Sequence, residues 1–174
     1  MISRISLLLI ALLTSSLGFS QTKETDISFV IRNAGIGVDG FFEENTLTYK
    51  FDPDNLNASY FNLTIPTTTI NTNIKGRDKH LRKSKYFDVE NYPNLTFKST
   101  KVIQTDSGYS LSGDLTIKAT KRSIDIPFTI EESDGMRYLM GYVEIDRRDY
   151  GVGKNHLILG DLVKISIKVA YQEN

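Results

Sequence analysis

From Asp26 to Tyr171, apolar side chains return at every second position in one short stretch after another, and this period of two constrains the fold more than anything else in the chain. The clearest case is Val163, Ile165, Ile167 and Val169, set against Lys164, Ser166 and Lys168. In a strand those two sets fall on opposite faces, one buried and one wet; in a helix they would scatter around the axis. Ile27, Phe29 and Ile31 repeat the pattern, as do Leu47, Tyr49 and Phe51, then Phe61, Leu63 and Ile65. Leu95 to Val102, Tyr109 to Ile117, Ile124 to Ile130 and Tyr138 to Ile145 follow. Turn chemistry separates them: Gly35-Ile36-Gly37, Asp52-Pro53-Asp54-Asn55, Asp106-Ser107-Gly108 and Asp134-Gly135. The predicted fold is all-β, with about eight antiparallel strands. That number suits a closed barrel wide enough for one small or slender ligand. A β-sandwich has the same alternation, so periodicity leaves closure open.

Cysteine is absent, so no disulfide staples this sheet and thiol, iron–sulfur and cysteine–zinc chemistry are all excluded. Stability has to come from apolar burial and strand pairing. Residues 1–20, MISRISLLLIALLTSSLGFS, read as a signal peptide: Arg4, an apolar run from Ile5 to Leu13, and Gly18 and Ser20 ahead of cleavage before Gln21. The apolar run is short for a membrane span, which needs about 20 residues, and no lipid-anchoring cysteine follows it. The expectation is a secreted or periplasmic chain whose residues 21–174 form one domain. Only Arg4 leaves with the leader, so 21 acids face one base fewer in what remains. That balance argues against a nucleic-acid partner, which would demand a basic surplus. It leaves room for transient contact with a membrane through a local basic patch.

Gly76 to Thr100 is the one stretch that breaks the alternation. Arg77, Asp78, Lys79, His80, Leu81, Arg82 and Lys83 form a basic, helix-favouring patch, followed by the aromatic turn Tyr86-Phe87-Asp88 and by Tyr92-Pro93. The predicted element is a short helical insertion between strands. A charge run of this kind often serves only as a solvated helix face. Arg77, His80 and Lys83, spaced three apart, could alternatively point together as a cationic collar for an anionic head group.

Motifs that would indicate catalysis fail in context. Gly35-Ile36-Gly37-Val38-Asp39-Gly40 fits a dinucleotide fingerprint by spacing, but a strand follows it where a helix is required. Gly151-Val152-Gly153-Lys154 lacks the upstream glycine of a phosphate loop and has Asn155 in place of Ser or Thr. Asp52 and Asp54 begin like a calcium loop and then lack its later ligands. No nucleophile elbow and no paired-histidine zinc motif accompany the two histidines, His80 and His156. The expectation is a protein with no catalytic residue, no metal and no cofactor. Triad members meet only in space, which leaves a hydrolase using His80 or His156 as a third reading.

The order of short motifs along the chain closely resembles the YceI-like family. Ile27-Ser28-Phe29 and Val38-x-Gly40-x-Phe42 come first, then Arg77-Asp78-x-His80-Leu81-Arg82 and Tyr86-Phe87-Asp88-Val89-Glu90-x-Tyr92-Pro93. Thr96-Phe97-Lys98-Ser99-Thr100, Gly113-Asp114-Leu115-Thr116-Ile117, Ile145-Asp146-Arg147-x-Asp149-Tyr150-Gly151 and Gly160-Asp161-x-Val163 complete the series. Two positions depart from the family pattern: Ala119 replaces a usual glycine, and Lys121-Arg122-Ser123 replaces a usual proline-containing turn. The resemblance implies an extended eight-stranded, lipocalin-like barrel that holds a polyisoprenoid or another amphiphilic lipid, for sequestration or transport. On that reading Phe29, Ile31, Phe61, Leu63, Phe97, Leu115, Ile126 and Ile167 line an apolar interior, and Arg77, His80 and Lys83 form the collar. The competing reading fills the same barrel with those side chains and makes the protein an envelope interaction module that docks a membrane or redox partner. Oligomeric state is left open by the sequence.

Overall fold

The computed structural model describes residues 25–153 and 157–172. The leader expected over residues 1–20, its cleavage after Ser20, and His156 lie outside them. Among the described residues the chain forms ten strands: β1 (Thr25–Asn33), β2 (Ile36–Phe42), β3 (Thr46–Lys50), β4 (Tyr60–Pro66), β5 (Ile70–Asn71), β6 (Asn94–Thr105), β7 (Gly108–Ile117), β8 (Thr120–Ser133), β9 (Met136–Asp146) and β10 (Leu159–Tyr171). One α-helix, α1 (Lys75–Leu81), interrupts them. All pairings are antiparallel, in a single sheet ordered β3-β4-β6-β7-β8-β9-β10-β1-β2-β5.

Two expectations are corrected here. The sheet has ten strands, not eight. The difference comes from pieces whose pattern is weak: β5 is two residues long and has one buried apolar anchor, Ile70, and β2 is interrupted by Gly37 and Gly40. Nor does backbone pairing close the sheet into a barrel, because β3 and β5 end the strand order and do not pair with each other. The sheet curls into a half-barrel instead. Side chains and the insertion close its seam. Tyr49 on β3 donates to the Ala170 carbonyl on β10 at 2.6 Å, and Asn45 donates to the Thr25 carbonyl on β1 at 3.0 Å. The segment after β4 covers the rest. At one end of it the Thr67 N–H and hydroxyl both donate to the Tyr92-Pro93 carbonyls, at 2.8 Å each. At the other, Phe87 meets Phe42 of β2 edge-on, with 6.1 Å between ring centroids.

The period of two sends the expected side chains inward. Phe29, Ile165 and Val143 share one cross-strand row, and Ile31, Val163 and Ile145 the next. A bulge at Thr100 explains why the inward set on β6 shifts from Leu95 and Phe97 to Val102. Had the alternation run on unbroken through Thr100, Val102 would face solvent. Asp134 and Gly135 form the predicted hairpin turn with φ of 55° and 74°. At the turn where Ala119 replaces glycine, Lys118 takes the left-handed conformation, with φ of 54°. An ordinary Cβ at position 119 is therefore compatible with the turn.

An aromatic cluster packs one end of the half-barrel. Phe51 meets Phe61, Tyr109, Phe128 and Tyr171 with centroids 5.0–6.3 Å apart, mostly edge-to-face. The insertion lies at the other end, beside Gly151 and Gly153.

Candidate functional site

Between the aromatic cluster and the insertion the sheet encloses a cavity of about 240 Å³. Its walls are unequal. On β6, β7 and β8 the lining residues Leu95, Phe97, Leu111, Leu115, Ile117, Ile126 and Phe128 are buried. On β1, β9 and β10 Ile27, Leu139 and Val169 are buried too, but Phe29, Ile31, Val143, Ile145, Val163, Ile165 and Ile167 are only half-buried. More of the second wall's lining side chains keep accessible surface.

Two glycines shape the lining. A Cβ on Gly40 would sit 2.3 Å from the ring of Phe29, and one on Gly113 would sit 2.3 Å from the ring of Phe97. The tip of each ring thus occupies the space that a side chain at the glycine of the neighbouring strand would take. This is the physical content of two glycines in the sequence motifs.

All eight residues expected to face an apolar interior line this cavity: Phe29, Ile31, Phe61, Leu63, Phe97, Leu115, Ile126 and Ile167. Of the expected collar, only Arg77 reaches it. Arg77 Nε donates to the Thr72 hydroxyl at 2.8 Å and Nη2 to the Thr72 carbonyl at 2.7 Å. His80 is exposed and packs edge-on against Tyr86 with centroids 5.1 Å apart. Lys83 is exposed too, beyond the helix end at Leu81, so helical spacing does not carry it to the same face as Arg77. The buried Asp78 accepts from the Thr72 N–H at 2.9 Å and from the Thr72 hydroxyl. Arg82 donates to the Thr68 and Ile70 carbonyls at 2.8 and 3.0 Å. These charged residues of the insertion mainly fasten it to the sheet.

Several lining residues were missed from sequence. Leu81, Tyr86 and Phe87 roof the cavity from the insertion, and Phe42 and Ile70 contribute from β2 and β5. Arg147 is the least expected: it lines an apolar space while only 4% exposed. Its guanidinium donates to the carbonyls of Val152, Gly160 and Leu159 at 2.9, 2.9 and 3.3 Å, and to Asp161 Oδ1 at 2.8 Å. It fixes the loop between β9 and β10. Thr25, Asn33, Thr72, Tyr86 and the two arginines are the polar members of a lining otherwise made of hydrocarbon and glycine. Among the described residues there is no group of three metal-ligating side chains.

The sequence profile of the YceI-like domain matches residues 20–171. The chain belongs to this family. This YceI-like chain is 34% identical over 101 residues to the UPF0312 protein of Pectobacterium atrosepticum and to Protein YceI of an Escherichia coli strain. Those matches cover 58% of this chain and 53% of each relative, about half their length. Its fold is similar to that of Burkholderia cenocepacia BcnA, with a TM-score of 0.78 and 23% identity over 85% of this chain and 96% of that one. It is also similar to a polyisoprenoid binding domain from Saccharophagus degradans, with a TM-score of 0.60 and 15% identity over 86% and 94%. At those identities the two likenesses establish the YceI-like chain's fold alone.

Proposed function

We propose that this chain is a non-enzymatic carrier that holds a polyisoprenoid or a similar amphiphilic lipid inside its half-barrel. The observation that carries this reading is the 240 Å³ cavity with its nearly continuous hydrocarbon lining. An engineered apolar void of about 150 Å³ already stays dry and takes up benzene, so this one accommodates a hydrocarbon chain. Burying such a chain is worth roughly 25 cal/mol per Å² removed from water. The polyisoprenoid-binding neighbour is consistent with that ligand class. Thr72 and Arg77 supply polar atoms near the insertion, where the ligand's polar end would lie. The leader-like residues 1–20 support a secreted or periplasmic location, with sequestration or transport as the role. The competing reading, an envelope interaction module, requires a filled barrel, and the open cavity counts against it.

Native mass spectrometry followed by organic extraction tests the proposal. Protein purified from its native compartment should carry a stoichiometric lipid, and added isoprenoids should raise the melting temperature of stripped protein. An empty protein whose melting point isoprenoids leave unmoved would refute it.

A further inference from the structure

The end of the cavity beside the insertion also carries prominently exposed aliphatic side chains. Ile36 is 72% exposed, Leu157 104% and Ile158 54%. They occupy two adjoining tips, because the Ala34 N–H of the β1–β2 hairpin donates to the Ile158 carbonyl at 2.7 Å. Asn33 and Leu159, which pair across β1 and β10 at the base of those tips, both line the cavity. The turn at Ala34 and Gly35, with φ of 51° and 82°, holds Ile36 outward. A single exposed isoleucine needs no explanation, whereas three exposed aliphatics on adjoining tips beside an apolar cavity mark a contact surface.

Positive charge lies alongside. The Gly153 N–H donates to the Lys85 carbonyl at 2.9 Å, which joins the insertion to the loop leading toward Leu157. Lys118 Nζ donates to the Ser84 and Gly151 carbonyls at 3.2 and 3.3 Å. Three acids of the β9–β10 end are already engaged, Asp146 with Arg148, Asp161 with Arg147 and Arg148, and Asp149 with Arg122, and in the insertion itself the Asp88 carboxylate accepts from Asn91. Lys83 and Lys85 are exposed and make no ion pair among the described residues.

We propose that this end of the molecule docks on an anionic lipid bilayer. Ile36, Leu157 and Ile158 enter the boundary between head groups and acyl chains, and Lys83 and Lys85 meet the lipid phosphates. Shallow apolar insertion and basic attraction are each weak alone and sufficient together. The charge sign selects an anionic bilayer, and continuity with the cavity wall lets a lipid pass from membrane to interior without crossing water. The inference rests on the lipid-carrier reading and adds the surface from which the ligand enters.

The test is co-sedimentation of the mature chain with isoprenoid-free vesicles, either of phosphatidylcholine alone or of phosphatidylcholine mixed with phosphatidylglycerol. The mixed vesicles should pellet the protein in a salt-sensitive manner. Ile36→Ser with Leu157→Ser, and separately Lys83→Glu with Lys85→Glu, should each lower the partition coefficient roughly tenfold or more without moving the melting temperature. Wild-type protein that stays in the supernatant, or variants that pellet as it does, would overturn the docking surface. Fluorescence titration with farnesol, without vesicles, separates the two failures. Farnesol binding with no vesicle attachment sinks the docking surface alone; loss of both also sinks the carrier reading beneath it.

Discussion

At the scale of single residues, Gly40 and Gly113 do the same job in two different settings. On Gly113 a Cβ would also lie 2.7 Å from the Lys98 carbonyl oxygen, and the facing ring of Phe97 is buried. Gly113→Ala should therefore destabilise the fold by roughly 1–3 kcal/mol in chemical denaturation. At Gly40 the three nearest atoms all belong to the ring of Phe29, which is half-buried and borders the cavity. Gly40→Ala should leave stability closer to wild type and reduce the lipid recovered by extraction. Tyr49 offers a second residue-scale test. Burial, reinforced by the nearby Tyr171, pushes its phenol up to about 12, and the neutral hydroxyl donates across the seam to Ala170. An acid whose pKa is raised on folding stabilises fully below its unfolded value, near 10, and loses that contribution as pH climbs toward 12. Tyr49→Phe should cost about 1 kcal/mol at neutral pH. The gap between wild type and variant should close between pH 10 and 12, as measured by urea unfolding at each pH.

At the scale of elements, α1 and the turn after it are held by a few polar bonds, unlike the strands with their long ladders. Asp78 organises Thr72, Arg77 ties to the same threonine, and Arg82 caps the carbonyls of Thr68 and Ile70. Asp78→Ala leaves the buried Thr72 N–H without its acceptor, a loss of roughly 1–3 kcal/mol. The effect should concentrate locally, as faster amide exchange across residues 72–92 with the exchange of β7 and β8 little changed. Uniformly faster exchange would show that the insertion is integral to the sheet's stability. The basic run in this element reads from sequence as a possible collar. In three dimensions Arg77 and Arg82 fasten it, and only the remaining lysines and His80 face water.

At the scale of the whole molecule, the hollow is a consequence of unequal packing. On β6 to β8 all the lining side chains except Ile124 are buried, while on β9, β10 and β1 most of them are only half-buried. Adding bulk on the open wall should then be tolerated. Val143→Phe extends a half-buried lining side chain into the 240 Å³ space. It should leave the melting temperature of stripped protein unchanged or higher and lower the lipid-to-protein ratio in extracts. A fall in stability without a change in lipid content would mean that this wall does not face the ligand.

Strand identity was determined by the sequence alone, because a period of two needs only that one face be wet and the other dry. The inward residues from Phe29 to Ile167 follow from the same rule, as do the hairpin at Asp134-Gly135 and the place of the insertion. Family membership was also legible, since long motifs such as Arg77-Asp78-x-His80-Leu81 keep their order whatever surrounds them. Strand number and closure were not legible. The two-residue β5 is a strand only because β2 lies beside it, and an open edge looks the same in sequence as a paired one. Arg147 was hidden because a charged side chain gives no sign in sequence that three carbonyls and Asp161 will surround it. Above all, alternation assigns a side chain to the inner face without saying what it meets there. Whether an inward Phe packs against a neighbour or borders a void depends on the distance between opposite walls, and only the tertiary structure sets that distance.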